Sequence, residues 1–477
     1  MISRVLDAGR IQRIHEVSLT ILSEVGVEVP HGEMLDRLAD HGADVNRTTQ
    51  RVRMPPELVT RCLEQAGKRF TLCGRDTGRQ AVFGDGKRNY NSIAGEALWV
   101  DEPGGKRRYT RLDDVAAATR LGDALDGITM PGAMADPHDV PAAYRCVEVF
   151  ATMLRHTTKP VTFWFHDRPS ARFINELMIA VRGDEKRAAA QPLCYPFLEP
   201  ISPLRFPFHG VDLLFETARL NLPVPIGPMA QLGVSAPAGI AGTMAQQNAE
   251  ILAGICLTQL IRPGMPVCYG GICHAFDMRT TQMIFAGPEQ AIFGVAMTQM
   301  GKHYGLPVYV NVGLTDAKRP DAQAGLECGL TLMLAAAAGA DIFGHMGIAG
   351  VDQATSLDML VMQDEIIRYV ESVMRELDFS DDAFGVDEIA AVGPGGTFID
   401  REHTAARFRR ELWQPRLLDR NYYEAWREAG GATLEQRCRQ TRDTLTRTHT
   451  PVPLAPELDT AIEGVLNAAR RELTGGR

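Results

Sequence analysis

One order repeats through the middle of this chain, and few folds accommodate it. A short apolar run is followed by a loop rich in glycine, proline or charge, and then by a stretch of helical periodicity. The apolar runs fall at Gly127–Ala133, Pro160–Phe165, Leu193–Leu198, Val224–Met229, Pro266–Tyr269, Pro307–Val312 and Asp341–His345. Their separation, roughly 30 to 40 residues, is that of βα units feeding a parallel sheet. Several runs open on proline, as in LNLPVPIGPM, RPGMPVCYGG and YGLPVYVNV, which a strand tolerates at its first residue. Seven units in series favour a (β/α)8 TIM barrel over a doubly wound sheet. Ile389–Val392 or Phe70–Leu72 is expected to supply the eighth strand. GVSAPAGIAG (Gly233–Gly242) lacks the glycine spacing of a dinucleotide fingerprint.

The flanks differ. Ile11, Ile14, Val17, Ile21, Leu22 and Val25 recur at helical spacing, and helices are expected at about 33–41 and 55–65. Residues 69–112 alternate apolar and polar positions around Pro103-Gly104-Gly105, a hairpin pattern. The α/β class therefore takes this form: an N-terminal helical cap with a small β-hairpin insertion (1–114), a barrel (115–376) and a C-terminal helical extension (377–477). With 477 residues the chain can bury a large core. A net charge of −9 speaks against a nucleic-acid partner. Nine scattered cysteines without a CxxC pair, and no apolar run long enough to span a bilayer, give the expectation of a cytoplasmic protein with no membrane partner.

A barrel places its chemistry at the C-terminal ends of its strands. Those ends carry Phe163-Trp164-Phe165-His166-Asp167, Tyr195-Pro196-Phe197-Leu198-Glu199, Gln231, Tyr269 with Cys273, His274, Asp277 and Arg279, Asn311 with Asp316 and Lys318, and His345. The fullest unit is Tyr309–Glu327, read as the sixth: a strand, a polar loop from Gly313, and a helix from Ala322 to about Leu334. Aromatic residues are 7% of the chain, yet they gather at these ends beside acids and amides. Aromatic faces attract cations, so the mixture suits a methylated amine; rings that merely fill the barrel are the alternative. Cys268, Cys273 and His274 offer a zinc reading, but their spacing matches no standard zinc motif. Ser235 lacks the nucleophile-elbow pattern. No metal is expected.

The segments IHEVSLTILSEVGVEV, NAEILAGICLTQLIRPGMPVCYGG, DMRTT, GPEQA, LTDAKRPDAQAGLE, AAAAGADIFGH and VGPGGTFIDREHT resemble, in order, those of the trimethylamine methyltransferase family. The resemblance is closest to the branch without pyrrolysine, whose substrates are quaternary amines such as glycine betaine. It implies a (β/α)8 barrel, and methyl transfer from a quaternary amine to the Co(I) of a corrinoid. That cobalamin-type cofactor is carried by a separate corrinoid protein and is not bound tightly here. A homo-oligomer is also expected. Under this reading Phe163, Tyr195, Phe197 and Tyr269 form a cage for the trimethylammonium group. Glu199, Asp101 or Asp316 supply negative charge, and Arg279, Lys318, Asn311 or His345 receive a betaine carboxylate. Asp316 and His345 are the catalytic candidates, with positioning and electrostatics as the mode of action. Asp316 and Lys318 instead as a loop-shaping salt bridge, and His345 as a core histidine, are the structural alternatives. Two other functions stay open: a zinc-assisted thiol or alcohol methyltransferase, and a non-catalytic betaine-binding protein.

Overall fold

The computed structural model describes residues 2–475. Five regular parallel strands run in the order Asn89–Ser92, Ile342–Met346, Val308–Asn311, Val267–Gly271, Val224–Ile226. Three irregular segments close the circle between the first and last of these. Asn91 bridges to Met130, Gly132 bridges to Thr162, the Val161 amide donates to the Leu193 carbonyl (3.0 Å), and Leu198 bridges to Ile226. The result is an eight-membered parallel barrel. Prolines 223, 266 and 307 each stand immediately before a strand, where no ladder donor is lost.

The member of the wall left unassigned by the seven apolar runs is Asn89–Ser92, which pairs with Ile342–Met346 and stands first in the chain. Neither expected segment supplies it. Ile389–Val392 belongs to a helix, Val386–Val392. Phe70–Leu72 forms a hairpin, Phe70–Cys73 with Gln80–Phe83. The real strand reads NYNS, and its polarity hides it: Asn89 donates to the carbonyls of Val82 (2.8 Å) and Asp341 (2.9 Å), so amides stand where an apolar run was sought. The barrel thus begins before residue 115, where the expected boundary fell, and the Tyr309 strand is its seventh member. The 70–83 hairpin has a different task. Its Leu72, Ala81 and Phe83 cluster with Met130, Tyr195, Cys268, Tyr309 and Ile342, filling the barrel interior from the N-terminal end of the strands.

The long helix Ile240–Ile261 has no polar face, because it is covered twice. The barrel lies on one side, and the N-terminal helices Ala8–Thr20, Gly32–Asp40 and Pro56–Gln65 lie on the other. Ser18 donates to the Ala245 carbonyl (2.9 Å) and accepts from Asn248 (2.9 Å), and Arg37 donates to the Leu260 carbonyl (3.0 Å). A three-stranded sheet of Val27–Glu28, Asp44–Asn46 and Arg51–Arg53 joins this cap. Leu98–Val100 and Arg107–Tyr109 pair antiparallel around the Pro-Gly-Gly turn. In the C-terminal extension, Leu434–Thr448 packs on Leu357–Met374, and Pro456–Leu473 packs on Arg168–Arg182 and on Arg145–His156, whose Glu148 is gripped by Arg470 at 2.8–2.9 Å. Among the described residues no helix is long and apolar enough to cross a membrane.

Candidate active site

Successive residues of a strand face opposite sides of a barrel wall, so every second side chain belongs to the interior. In the fourth member of the wall the interior set is Tyr195, Phe197 and Glu199; in the seventh it is Tyr309 and Asn311. Tyr195 and Tyr309 share the interior cluster with Cys268. In the third member the interior residue is Trp164, and Phe163 faces out. Phe163 stacks on Phe150 of helix Arg145–His156 (4.9 Å) and on Phe165 (5.0 Å). Tyr269 also faces out, donating to Asn248 of the long helix at 2.8 Å.

At the C-terminal end of the strands four rings meet in a closed circuit, three of the contacts edge to face and one tilted. Trp164 and Phe197 are 6.1 Å apart at 89°, Phe197 and Tyr309 5.2 Å at 72°, Tyr309 and His345 5.7 Å at 53°, and His345 and Trp164 6.2 Å at 80°. The indole N–H of Trp164 donates to the Gly95 carbonyl (2.9 Å), which fixes the ring. Two glycines make room. A Cβ at Gly227 would stand 2.6 Å from Phe197 Cζ, and one at Gly344 would collide with the Tyr309 hydroxyl and Asn91 Oδ1. Gly227→Ala is therefore expected to weaken binding of a quaternary ammonium ion about tenfold, overpacking costing about 1–3 kcal/mol. Titration calorimetry checks this; unchanged affinity would show that Phe197 does not hold the ligand.

Above the rings lies a cleft of about 600 Å³, lined among others by Trp164, Phe197, Glu199, Gly227, His209 and Gln231. Three carboxyl groups influence one another here: Glu199, Glu96 from the loop after the first strand, and Asp352 from the loop after the eighth. Glu199 is exposed to the cleft; the partial desolvation there, with the charge of Asp352, pushes its carboxyl up to about 7. Desolvation, then the charge of Asp352 and a hydrogen bond to it, pushes Glu96 strongly upward, and desolvation pushes Asp352 upward as well. Burial pushes the imidazoles of His345 and His274 down to about 3, leaving both neutral. His274 is fully buried and stacks on Phe285 at 4.5 Å.

Of the residues singled out from the sequence, Phe197, Glu199 and His345 come together here. Asn311 lies one inward position above Tyr309, buried, its Oδ1 without a partner. Tyr195 lies one layer below the rings, 6.4 Å from Phe83 of the hairpin. Phe163 and Tyr269 are on the wrong face. Asp101 is held by Arg108 through two 2.8 Å bonds in the exposed hairpin. Arg279 projects into solvent, its side chain 89% exposed and paired with Asp277. Asp316 accepts from the Phe285 amide (2.9 Å), and Lys318 donates to the Asp316 backbone carbonyl (2.7 Å); this knits the sixth and seventh loops without a side-chain salt bridge between the two. Sequence reasoning missed Trp164, Tyr309, Glu96 and Asp352. The parity of Tyr195, Phe197 and Glu199 was the signal that pointed to the first two. Cys268 and Cys273 are buried thiols whose titration burial pushes well up, and among the described residues no three His, Cys, Asp or Glu groups are placed to hold a metal ion.

A family model described as "Trimethylamine methyltransferase (MTTB)" matches residues 2–475. The chain belongs to this family. It is 30% identical over 471 residues to the glycine betaine methyltransferase of Desulfitobacterium hafniense (strain Y51), covering 98% of each chain. It is 28% identical over 480 residues to the trimethylamine methyltransferase MttB of Methanosarcina barkeri, covering 98% of this chain and 95% of that one. Among solved structures, the hydroxylamine complex of MtmB superposes with a TM-score of 0.50 at 11% identity, over 99% of this chain and 95% of that one. That likeness concerns the fold. Membership makes the chain a methyltransferase.

Proposed function

We propose that this methyltransferase takes a methyl group from a quaternary ammonium compound and passes it to the Co(I) of a corrinoid carried by a separate protein. The observation that carries the reading is the closed circuit of Trp164, Phe197, Tyr309 and His345 beneath three carboxyl groups. A tetraalkylated nitrogen cannot donate a hydrogen bond, so ring faces and diffuse negative charge are what can recognise it. The methyl acceptor supplies the nucleophile; the chain's own residues bind and aim the head group. Loss of the methyl leaves a neutral tertiary amine, so no general acid is required. Positive charge fades as the C–N bond breaks, so fully ionised acids would favour the bound substrate over the transition state. The upward push on the Glu96 and Asp352 carboxyls, which favours their neutral forms, limits that penalty.

The acids make binding depend on pH. Glu199 titrates near 7 when the site is empty, so the affinity for a permanent cation is expected to rise several-fold between pH 6 and 8.5. A neutral isostere with carbon in place of nitrogen should show no such rise. The sign for stability is opposite. A carboxyl raised on folding holds its proton between about pH 4.5 and 7 while the unfolded chain has lost it, so this group's contribution falls as pH rises through that window. Calorimetry and thermal unfolding across pH read both effects. Affinity for the cation that is flat in pH would remove the acids from the site.

The reading itself is tested by a thermal-shift screen over methylated amines, followed by methyl transfer to free Co(I) cobalamin. Quaternary amines should stabilise the protein where tertiary ones do not, and no shift with any quaternary amine overturns the substrate assignment. Association of like chains is supported by the segment after helix Leu357–Met374. There Leu377, Phe379, Phe384, Val386 and Ile389 are all exposed, and the helices between 381 and 411 bury no residue.

A further inference from the structure

Recognition of a betaine needs two charges of opposite sign, one for each end. The cleft offers one sign only. Glu199 lines it, and Glu96 and Asp352 from the neighbouring loops act on Glu199 and on one another. Neither lysine nor arginine lines the cleft; its ionisable side chains are Glu199, His166 and His209. The cations within reach by sequence are engaged elsewhere. Arg279 is solvent-borne on Asp277, and Lys318 is spent on the Asp316 carbonyl. Arg107, beside Gly350, donates to Gln353 (2.5 Å). His345 belongs to the ring circuit and His274 stacks on Phe285, and the two are almost fully and fully buried.

We propose that the substrate is a quaternary ammonium compound of net positive charge, with a neutral tail such as an alcohol, and that the site discriminates against zwitterionic betaines. This rests on the reading of the barrel mouth as a quaternary-ammonium site. A carboxylate brought beside the acids meets like charge in a partly desolvated space and finds no counter-ion. Discrimination then comes from repulsion at the tail, while the head group binds alike in both classes. Neutral His345 and His274 do not relieve this, since proton uptake there is opposed by burial.

The test uses the full chain and three probes in calorimetric titrations at pH 8.5, where Glu199 is ionised: tetramethylammonium, choline and glycine betaine. Choline and tetramethylammonium are expected to bind at least tenfold more tightly than glycine betaine. In Glu199→Gln, which removes one charge at near-constant shape, the preference for choline over glycine betaine should shrink several-fold. Glycine betaine binding as tightly as choline overturns the inference and leaves the quaternary-ammonium reading standing, as does a ratio unmoved in Glu199→Gln. Failure of all three probes to bind overturns both.

Discussion

Trp164→Ala is expected to weaken binding of a quaternary ammonium ion on the order of 100-fold, with a modest effect on stability. A desolvated cation–π contact to indole contributes about 2 kcal/mol or more, and the contact area lost with the ring adds to it. Its neighbour supplies the control. Phe163 is buried in the layer between wall and helix, stacked on Phe150 and Phe165. Phe163→Ala should cost about 3–5 kcal/mol of stability and leave affinity near that of the parent at temperatures where the variant is folded. Two adjacent aromatic residues thus give opposite phenotypes, read by calorimetry and by thermal unfolding. Parent-like affinity in Trp164→Ala would remove the ring circuit as the cation site.

The largest loss of stability away from the site is expected at Asp341. This carboxylate is fully buried at the start of the eighth strand. It accepts from the amides of Val308 (2.8 Å) and Gly84 (2.9 Å) and pairs with Lys302. One side chain therefore ties the seventh strand, the end of the hairpin and helix Pro288–His303 together at the base of the barrel. Asp341→Ala leaves an ammonium group without its partner and two amides without acceptors, at a cost of about 3–5 kcal/mol. Asp341→Asn keeps an acceptor but loses the ion pair, and should fall between. Thermal unfolding with soluble yield measures both, and an unshifted Asp341→Ala would show that the base holds without this junction.

The barrel was legible because its strands are buried on both faces and so read as apolar runs between loops. The exception follows the same physics. Asn89–Ser92 carries amides in place of an apolar run, Asn89 serving the Val82 and Asp341 carbonyls and Asn91 the Ser92 carbonyl, so nothing marks it as a strand. The site was legible in kind and only partly in place. Aromatic residues at strand ends suggested a cation, but choosing Phe163 over Trp164, and Tyr269 over Tyr309, ignored that a strand gives the interior every second residue. Glu96 and Asp352 were beyond reach for another reason. They lie in loops after the first and last strands of the circle, and only closure of the barrel makes them neighbours.

The hairpin that plugs the barrel has a kinetic consequence. With Leu72, Ala81 and Phe83 seated in the interior, the rings can be reached from the strands' C-terminal side alone. If the methyl acceptor is a protein, as proposed, donor and acceptor share one doorway, and the smaller reactant has to be aboard before the larger one arrives. Turnover then follows a compulsory order, in which an acceptor that docks on a vacant mouth forms a dead-end complex. Rates should fall at high acceptor concentration, and raising the amine should restore them.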